Sequence, residues 1–214
     1  DYLVIFPAHT LDWNIIVRKD SNIKNIWDLK GKRINKQPKG GISEKITTLI
    51  LDSLKIDHQA FYLNHTDAAD AIINNKIDAH IVMGAPAQFR ELSTRLPLTV
   101  IDLSESDIQN IRKYVPYLSK TKFEANKYYS GASEINTVNL WAVVLGKAEL
   151  PEDIIYKLVK GIYENKSIMA SSHPSGALLD PKQYHLINVP VHPGVIRYLK
   201  EINMTIPKEI IPNK

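Results

Sequence analysis

The sequence predicts an α/β fold, and three observations support this prediction. Short apolar segments alternate with amphipathic helical segments over residues 32–121, which is typical of βαβ units in a mainly parallel sheet. Residues 123–136 are polar and resemble a loop. Strand and helix signals then return, with too few strands for a second sheet. We therefore expect one lobe at 32–121, with 1–31 and 122–214 belonging to the other lobe and the crossovers.

The elements of the first third follow from apolar periodicity. Leu11–Val17 is predicted as a strand and Ile26–Leu29 as a short helical turn. A strand near Arg33–Lys36 precedes a helix over Ser43–Leu54, and Ala60–Leu63 is another short strand. The side chains expected to face the core from the helix are Ile46, Leu49, Ile50 and Leu54.

The middle of the chain continues the alternation. Thr66 is predicted to cap a helix that has Asp67 in its first turn. Ile77–Met83 is a buried strand, and Leu98–Ile101 is a further strand. Residues 104–107, Ser-Glu-Ser-Asp, have the capping-box pattern of a helix start.

The last third contains one strand and two main helices. The strand is predicted at Val138–Leu145, and a long helix begins with Pro151 at its first position. The core-facing residues expected from that helix are Ile154, Ile155, Leu158, Val159 and Ile162. A final helix begins at His192-Pro193-Gly194, so His192 is more readily explained as a structural residue than as a base.

Composition excludes several classes of protein. A hydrophobic content of 44% and a charged content of 23% are ordinary for a globular protein and exclude a disordered chain. The net charge of +4 lies in a local cluster, which does not indicate a nucleic-acid partner. No apolar stretch approaches the length of a membrane span, so direct membrane insertion is not expected. The absence of cysteine excludes disulfides and thiolate chemistry.

A glycine-rich loop is the main candidate for a binding site. Residues 38–43, Pro-Lys-Gly-Gly-Ile-Ser, lie between a predicted strand and a predicted helix. Backbone N–H groups and the helix dipole favour an anion at such a position, so Lys39, Gly40, Gly41 and Ser43 are candidates to bind a carboxylate. The alternative is a solvated turn in which Ser43 only caps the helix.

Two further segments are candidates. Gly84, Ala85 and Pro86 follow a strand at the sheet edge where open α/β sheets bind ligands, although an ordinary turn would look the same. Tyr128 is a candidate hydrogen-bond donor to a ligand, and a partly buried aromatic residue is its alternative. The sequence has no zinc-protease pairing of histidines, no nucleophile elbow and no Walker lysine, so no catalytic residue, metal or cofactor is predicted.

Four segments in order resemble the TAXI family of solute receptors of TRAP transporters. They are Val17–Ser21 with Asp28–Arg33, Ile77–Ala79 with Gly84–Pro86, Leu150–Tyr156 and Val189–Gly194. This resemblance implies a two-lobed periplasmic-binding-protein type II architecture and a periplasmic or extracytoplasmic location. It also implies that hinge closure traps a small organic acid or amino acid for a TRAP transporter membrane subunit. Tyr128 aligns with the family's cleft tyrosine, and Thr137 lies at the following family spacing.

The sequence also departs from the family pattern. The family's further N-terminal stretch does not precede Asp1, so lobe one is expected to be incomplete in this chain. Gly41-Ile42-Ser43 stands where the family usually has Ser-Gly-Thr, and Glu124 and Tyr129 replace a proline and a glycine. Two alternatives therefore stay open. The first is a truncated or degenerate receptor that acts as an interaction or surface protein. The second is an enzyme on the same fold, which would need an acid–base pair that the sequence does not show.

Overall fold

The computed structural model describes residues 1–130, 132–172, 174–187 and 189–212. The strands in these ranges are β1 (Tyr2–Arg18), β2 (Arg33–Asn35), β3 (Gln59–Phe61), β4 (Ala79–Met83), β5 (Leu98–Val100), β6 (Ser119–Glu124) and β7 (Glu134–Lys147). The α-helices are α1 (Ile42–Ser53), α2 (His65–Ile73), α3 (Ala87–Leu92), α4 (Glu105–Tyr114), α5 (Glu152–Glu164), α6 (Lys166–Ser172) and α7 (Pro193–Glu201). The 3₁₀ helices are Ile26–Leu29, Ala125–Lys127, Pro174–Leu178, Pro181–Leu186 and Lys208–Ile210. The predicted α/β class is therefore confirmed.

The chain divides into two compact units. Unit 1 contains Asp1–Thr10 and Trp141–Lys214, and unit 2 contains Leu11–Leu140. Both β1 and β7 therefore have residues in each unit. The sequence-based lobe boundaries at residues 31 and 121 differ from these limits and stay a prediction.

The sheet of unit 2 is mixed. Its order is β3-β2-β4-β1-β7-β6, and β5 also pairs with β1. The parallel pairs are β2 with β3 and β2 with β4, because α1 and α2 provide the crossovers that parallel strands need. The pairs of β1 with β4, β1 with β5 and β6 with β7 are antiparallel. The parallel part predicted for this lobe is thus limited to three strands.

Strands β6 and β7 correct the two ends of the loop predicted at residues 123–136. Strand β6 ends at Glu124, and β7 begins at Glu134. The sequence of β6 is Ser-Lys-Thr-Lys-Phe-Glu, and only Phe123 is buried. An edge strand with one apolar side chain has little hydrophobic signal, which explains why the sequence pattern did not predict it.

Helices cover both faces of the unit 2 sheet. Side chains of β1 alternate between two clusters, because successive residues of a strand point to opposite faces. Trp13, Ile15 and Val17 pack with residues of α1 and α4, whereas Ile16 packs with residues of α2 and α3. The sheet is therefore enclosed on two sides, as its apolar central strands require.

Two details of the predicted helices are wrong. Leu49 is 49% exposed, whereas Thr47 and Leu51 are buried. The face of α1 that packs on the sheet is therefore rotated slightly from the face that the sequence predicted. The cap of α2 is Asn64, whose side chain accepts from the N–H of Asp67, whereas Thr66 is exposed. The predicted capping box at the start of α4 is confirmed.

Unit 1 packs its helices around the first part of β1. Val4 and Ile5 lie in a core with residues of α5 and α7, and Val4 forms a parallel bridge with Val191. A side chain at Gly194 would meet the carbonyl oxygen of Glu152 at 2.5 Å, so glycine allows α7 to approach α5 closely.

The predicted stripe of α5 is only partly right. Ile155 and Val159 are buried, but Ile154 and Leu158 are exposed, because α7 covers only one edge of the apolar stripe. Pro151 is the N-cap and not the first helical residue. No helix within the described ranges combines the length and apolar content needed to cross a bilayer.

Candidate functional site

The candidate loop lies between β2 and α1. Helix α1 begins at Ile42, and its N-cap is Gly41, which has no side chain to accept a hydrogen bond. The backbone N–H groups of Ile42, Ser43 and Glu44 form no hydrogen bond with another residue of the described ranges. Gly40 has a φ of 84°, a conformation that glycine adopts without strain. The loop therefore presents unpaired N–H donors at the positive end of the helix dipole.

Two lysines add positive charge beside this loop. The Lys39 Nζ lies 4.7 Å from the centroid of the Tyr62 ring, and the Lys36 Nζ lies 5.5 Å from the same centroid. Lys36 is 4% exposed, and its Nζ donates to the hydroxyl oxygen of Thr48 at 2.9 Å. The aromatic face stabilises both cations through its quadrupole.

Glu44 partly balances this charge. Its carboxylate accepts from the N–H of Gly40 at 3.3 Å and from the hydroxyl of Thr48 at 3.1 Å. One side of the loop is thus already bonded to a carboxylate of the chain itself. The unpaired N–H groups of α1 are what remains for another anion.

A hydrogen bond joins this loop to the second candidate segment. The hydroxyl oxygen of Ser43 accepts from the N–H of Met83 at 3.1 Å, directly before Gly84. Gly84 has a φ of 95°, and its N–H donates to the carbonyl oxygen of Asp12 at 2.7 Å. Ala85 is half-buried, and Pro86 is the N-cap of α3. The structure therefore joins Ser43 of the first segment to the residue directly before Gly84, Ala85 and Pro86. Within the described ranges it shows no hydrogen bond of Lys39, Gly40 or Gly41 with those three residues.

Tyr128 and Thr137 are placed differently. Tyr128 is 37% exposed, and its ring stacks on Phe123 with a centroid distance of 5.3 Å. Within the described ranges no hydrogen bond links it to either loop. Thr137 is buried, and its hydroxyl donates to the carbonyl oxygen of Trp13. Neither residue is joined directly to the two loops.

Polar residues of β1 and β7 near Gly84 were not predicted. The side-chain nitrogen of Asn14 donates to the carbonyl oxygen of Gly84 at 2.9 Å, and its buried oxygen has no partner in the described structure. Burial raises the pKa of Asp12, and a hydrogen bond with Asn139 opposes this shift. The signal available in the sequence was a pair of polar residues within the apolar run Leu-Asp-Trp-Asn-Ile.

A separate cleft of unit 2 contains none of the predicted residues. Its volume is about 330 Å³, and Arg18, Lys32 and Asp78 line it. Arg33 donates two hydrogen bonds to the carboxylate of Asp78 and holds the pKa of that carboxyl below its usual range. Within the described part of the chain, no group of three or more acidic or histidine side chains is placed to hold a metal ion.

The comparisons with known proteins place this two-unit α/β chain in a family. A family model described as NMT1-like family matches residues 3–202, and the chain therefore belongs to the NMT1-like family.

Several solved structures are similar to the chain. The aliphatic sulphonate binding protein SsuA from Escherichia coli shares 14% identity, with a TM-score of 0.43, over 96% of this chain and 56% of that one. A putative L-cystine ABC transporter protein from Listeria monocytogenes shares 16% identity, with a TM-score of 0.45, over 79% and 57%. An arginine transport periplasmic binding protein from Legionella pneumophila shares 14%, with a TM-score of 0.43, over 78% and 61%. The chain thus spans little more than half the length of these proteins.

Proposed function

We propose that this chain is the ligand-binding part of an extracytoplasmic solute receptor. It captures a small, carboxylate-bearing organic acid or amino acid and delivers it to the membrane subunit of a TRAP-type transporter. The single observation that carries the proposal is the start of α1, where unpaired backbone N–H groups follow two glycines beside Lys36 and Lys39. Donors and charge of this kind favour a carboxylate.

The residues have separate roles in this proposal. Gly40 and Gly41 leave the N–H groups accessible because they have no side chains. Lys39 provides an exposed positive charge, and the bond from Met83 to Ser43 keeps the residue before Gly84 beside the start of α1. A carboxylate bound here accepts from the N–H groups of α1.

The proposed contributions of Tyr128 and Thr137 are more limited. Tyr128 donates its hydroxyl hydrogen to the solute when the receptor closes. The hydroxyl hydrogen of Thr137 already bonds to Trp13, so Thr137 can only accept from a solute donor. The two-lobed type II architecture, the periplasmic location and the TRAP partner rest on the TAXI resemblance of the sequence.

The negative charge of Glu44 allows a test of whether the solute bound at this loop is an anion. Its carboxylate accepts from the N–H of Gly40 in the same loop that would hold the solute carboxylate, so the two negative charges repel each other. Glu44→Gln should therefore tighten the binding of an acidic solute. A neutral solute should bind the native chain and this variant equally.

A thermal-shift screen followed by calorimetry tests the proposal. The panel contains dicarboxylates, amino acids and 2-oxo acids, and we expect one acidic solute to raise the melting temperature. Lys39→Gln should then weaken its binding by roughly one to two orders of magnitude, since a charge-assisted hydrogen bond contributes roughly 1.5–3 kcal/mol. Lys30→Gln is the matched control, because Lys30 is an exposed lysine outside residues 38–43.

The outcomes separate the hypotheses. If no member of the panel stabilises a well-folded preparation, solute binding by this chain is overturned and the interaction-protein alternative takes its place. Delivery is tested separately by uptake of the identified solute into vesicles that contain a TRAP-type membrane subunit. Uptake should require the receptor, and uptake that is unaffected by it would contradict the TRAP assignment.

A further inference from the structure

Three buried polar side chains meet beneath the candidate loop. Asn35 is the last residue of β2, Gln37 lies two residues later, and His80 lies on β4. All three side chains are buried, and His80 has no surface exposed to solvent. Buried polar groups of this kind are costly unless each has a hydrogen-bond partner.

Leu63 sets the orientation of the Asn35 amide. The Asn35 oxygen accepts from the N–H of Leu63 at 2.7 Å, and its nitrogen donates to the carbonyl oxygen of Leu63 at 3.1 Å. The same nitrogen lies 2.9 Å from His80 Nδ1. Since that nitrogen is a donor, Nδ1 must be the acceptor of the neutral ring.

The other ring nitrogen faces Gln37. With Nδ1 as acceptor, the ring hydrogen is on Nε2, which lies 3.2 Å from the side-chain amide nitrogen of Gln37. A half-turn of that amide presents its oxygen, which is the partner that a ring N–H requires. Burial lowers the pKa of His80 to about 3, and the neighbouring His65 ring adds to the shift, so the ring is neutral at physiological pH.

The residue that His80 contacts is conformationally unusual. Gln37 has a φ of 74°, which is uncommon for a residue with a side chain and has a cost in free energy. It directly precedes Pro38 and the glycines of the loop. A strained residue persists only where surrounding contacts hold it, and the His80 ring provides such a contact.

We propose that His80 is a positioning residue for the anion-binding loop. Its ring bonds to Asn35 and Gln37 and thereby holds the backbone that leads into residues 38–43, so that the loop is ordered before a solute arrives. His80 does not touch the solute. The effect on solute affinity rests on the proposed function, whereas the effect on loop order does not.

Hydrogen exchange of the backbone amides tests this inference without any solute. His80→Phe keeps a ring that can stack on Phe89, which lies 4.2 Å from the His80 centroid, but removes both ring hydrogen bonds. Gln37→Ala removes only the contact on the loop side. In both variants we expect exchange at the hydrogen-bonded amides of Gly40, Gly41 and Lys45 to rise about tenfold or more, while α4 stays unchanged.

His65→Phe is the matched control. The His65 ring lies 5.6 Å from the His80 ring in an edge-on arrangement, and its Nδ1 has no partner in the described structure. It should leave exchange at the loop unchanged. Unchanged exchange at Gly40, Gly41 and Lys45 in Gln37→Ala would overturn the inference, and this variant decides the matter if His80→Phe does not fold.

A solute measurement separates this inference from the proposed function. If one acidic solute of the panel binds, His80→Phe and Gln37→Ala should weaken its binding, while His65→Phe should not. Faster loop exchange with no solute binding by the native chain would support the positioning role and contradict the receptor. Unaltered loop exchange in the variants, together with clear solute binding by the native chain, would contradict the positioning role and support the receptor.

Discussion

The Ser43 hydroxyl oxygen accepts a hydrogen bond from the backbone N–H of Met83 at 3.1 Å. This bond connects the first turn of α1 to the last residue of β4, two elements separated by 40 residues in the sequence. It satisfies a strand N–H where β4 ends and the segment at Gly84 begins. The hydroxyl of Ser43 therefore has a structural partner within the chain itself.

Removing this hydroxyl should destabilise unit 2. In Ser43→Ala the N–H of Met83 loses its acceptor, and we expect a loss of about 1 kcal/mol in the free energy of unfolding, measured in urea. Ser53→Ala is the control, because that hydroxyl donates to a helix carbonyl at 2.8 Å and should contribute within ~0.5 kcal/mol. Equal losses in the two variants would contradict the assigned role of Ser43.

A buried hydrogen bond between Trp13 and Thr47 should contribute more to the free energy of unfolding than the bond of Ser43 does. The indole N–H donates to the threonine hydroxyl oxygen at 3.0 Å, and both residues are buried. Thr47→Val keeps the shape but leaves the indole N–H unpaired, so we expect a loss of roughly 1–3 kcal/mol in urea unfolding.

A double-mutant cycle isolates this bond. In the background of Trp13→Phe, which has no donor, Thr47→Val should cost much less. Thr66→Val is an exposed control and should have little effect. An identical cost of Thr47→Val in both backgrounds would show that the bond does not contribute.

The buried His80 ring should make stability depend on pH. Its pKa of about 3 in the folded state lies below the usual value of about 6.5, so between these values the unfolded chain binds more protons. The contribution of His80 is complete above pH ~6.5 and is lost as the pH falls towards 3, by at most ~1.4 kcal/mol per pH unit.

Urea unfolding at several pH values checks this dependence. Between pH ~6.5 and ~4.5 the native chain should lose stability more steeply than His80→Phe, which has no titrating ring at this position. Burial also lowers the pKa of His65, so His65→Phe measures the share of that neighbour. Parallel curves for the native chain and His80→Phe would refute the prediction.

His192 should act as a structural cap of α7. Its Nδ1 accepts from the N–H of Gly194 at 3.1 Å, and its Nε2 lies 3.0 Å from the carbonyl oxygen of Leu150. His192→Ala should cost about 1–2 kcal/mol in thermal unfolding, and His192→Asn should restore part of it, because asparagine also caps helices. His185→Ala, at an exposed histidine, should have no measurable effect.

Local chemistry made part of this structure predictable from the sequence. The capping box at Ser104 and the helix start at His192 involve residues within three positions of one another, so the pattern alone contains the interaction. The bond between Ser43 and Met83 follows from the places of the two segments after β2 and at the end of β4. These strands are parallel neighbours, and their carboxyl ends meet at one edge of the sheet. The ligand roles of these residues stay a prediction.

Other features depend on tertiary packing and could not be predicted from the sequence. The contact of Asn35 with His80 joins residues 45 positions apart, and neither residue belongs to a recognisable motif. An apolar stripe predicts that a helix has a buried face, but the neighbouring elements decide which edge of the stripe they cover. This explains the exposure of Leu49 on α1 and of Leu158 on α5.

The bare helix start at Gly41 has a consequence for attempts to make this protein more heat-resistant. Gly41 has φ and ψ values that any residue adopts, and an added Cβ would meet nothing closer than the carbonyl oxygen of Pro38 at 3.4 Å. Serine or aspartate would fit there and supply the acceptor that α1 lacks. A screen that rewards only melting temperature would therefore favour variants that have lost the proposed solute site. A screen that also rewards solute uptake would keep glycine at this position.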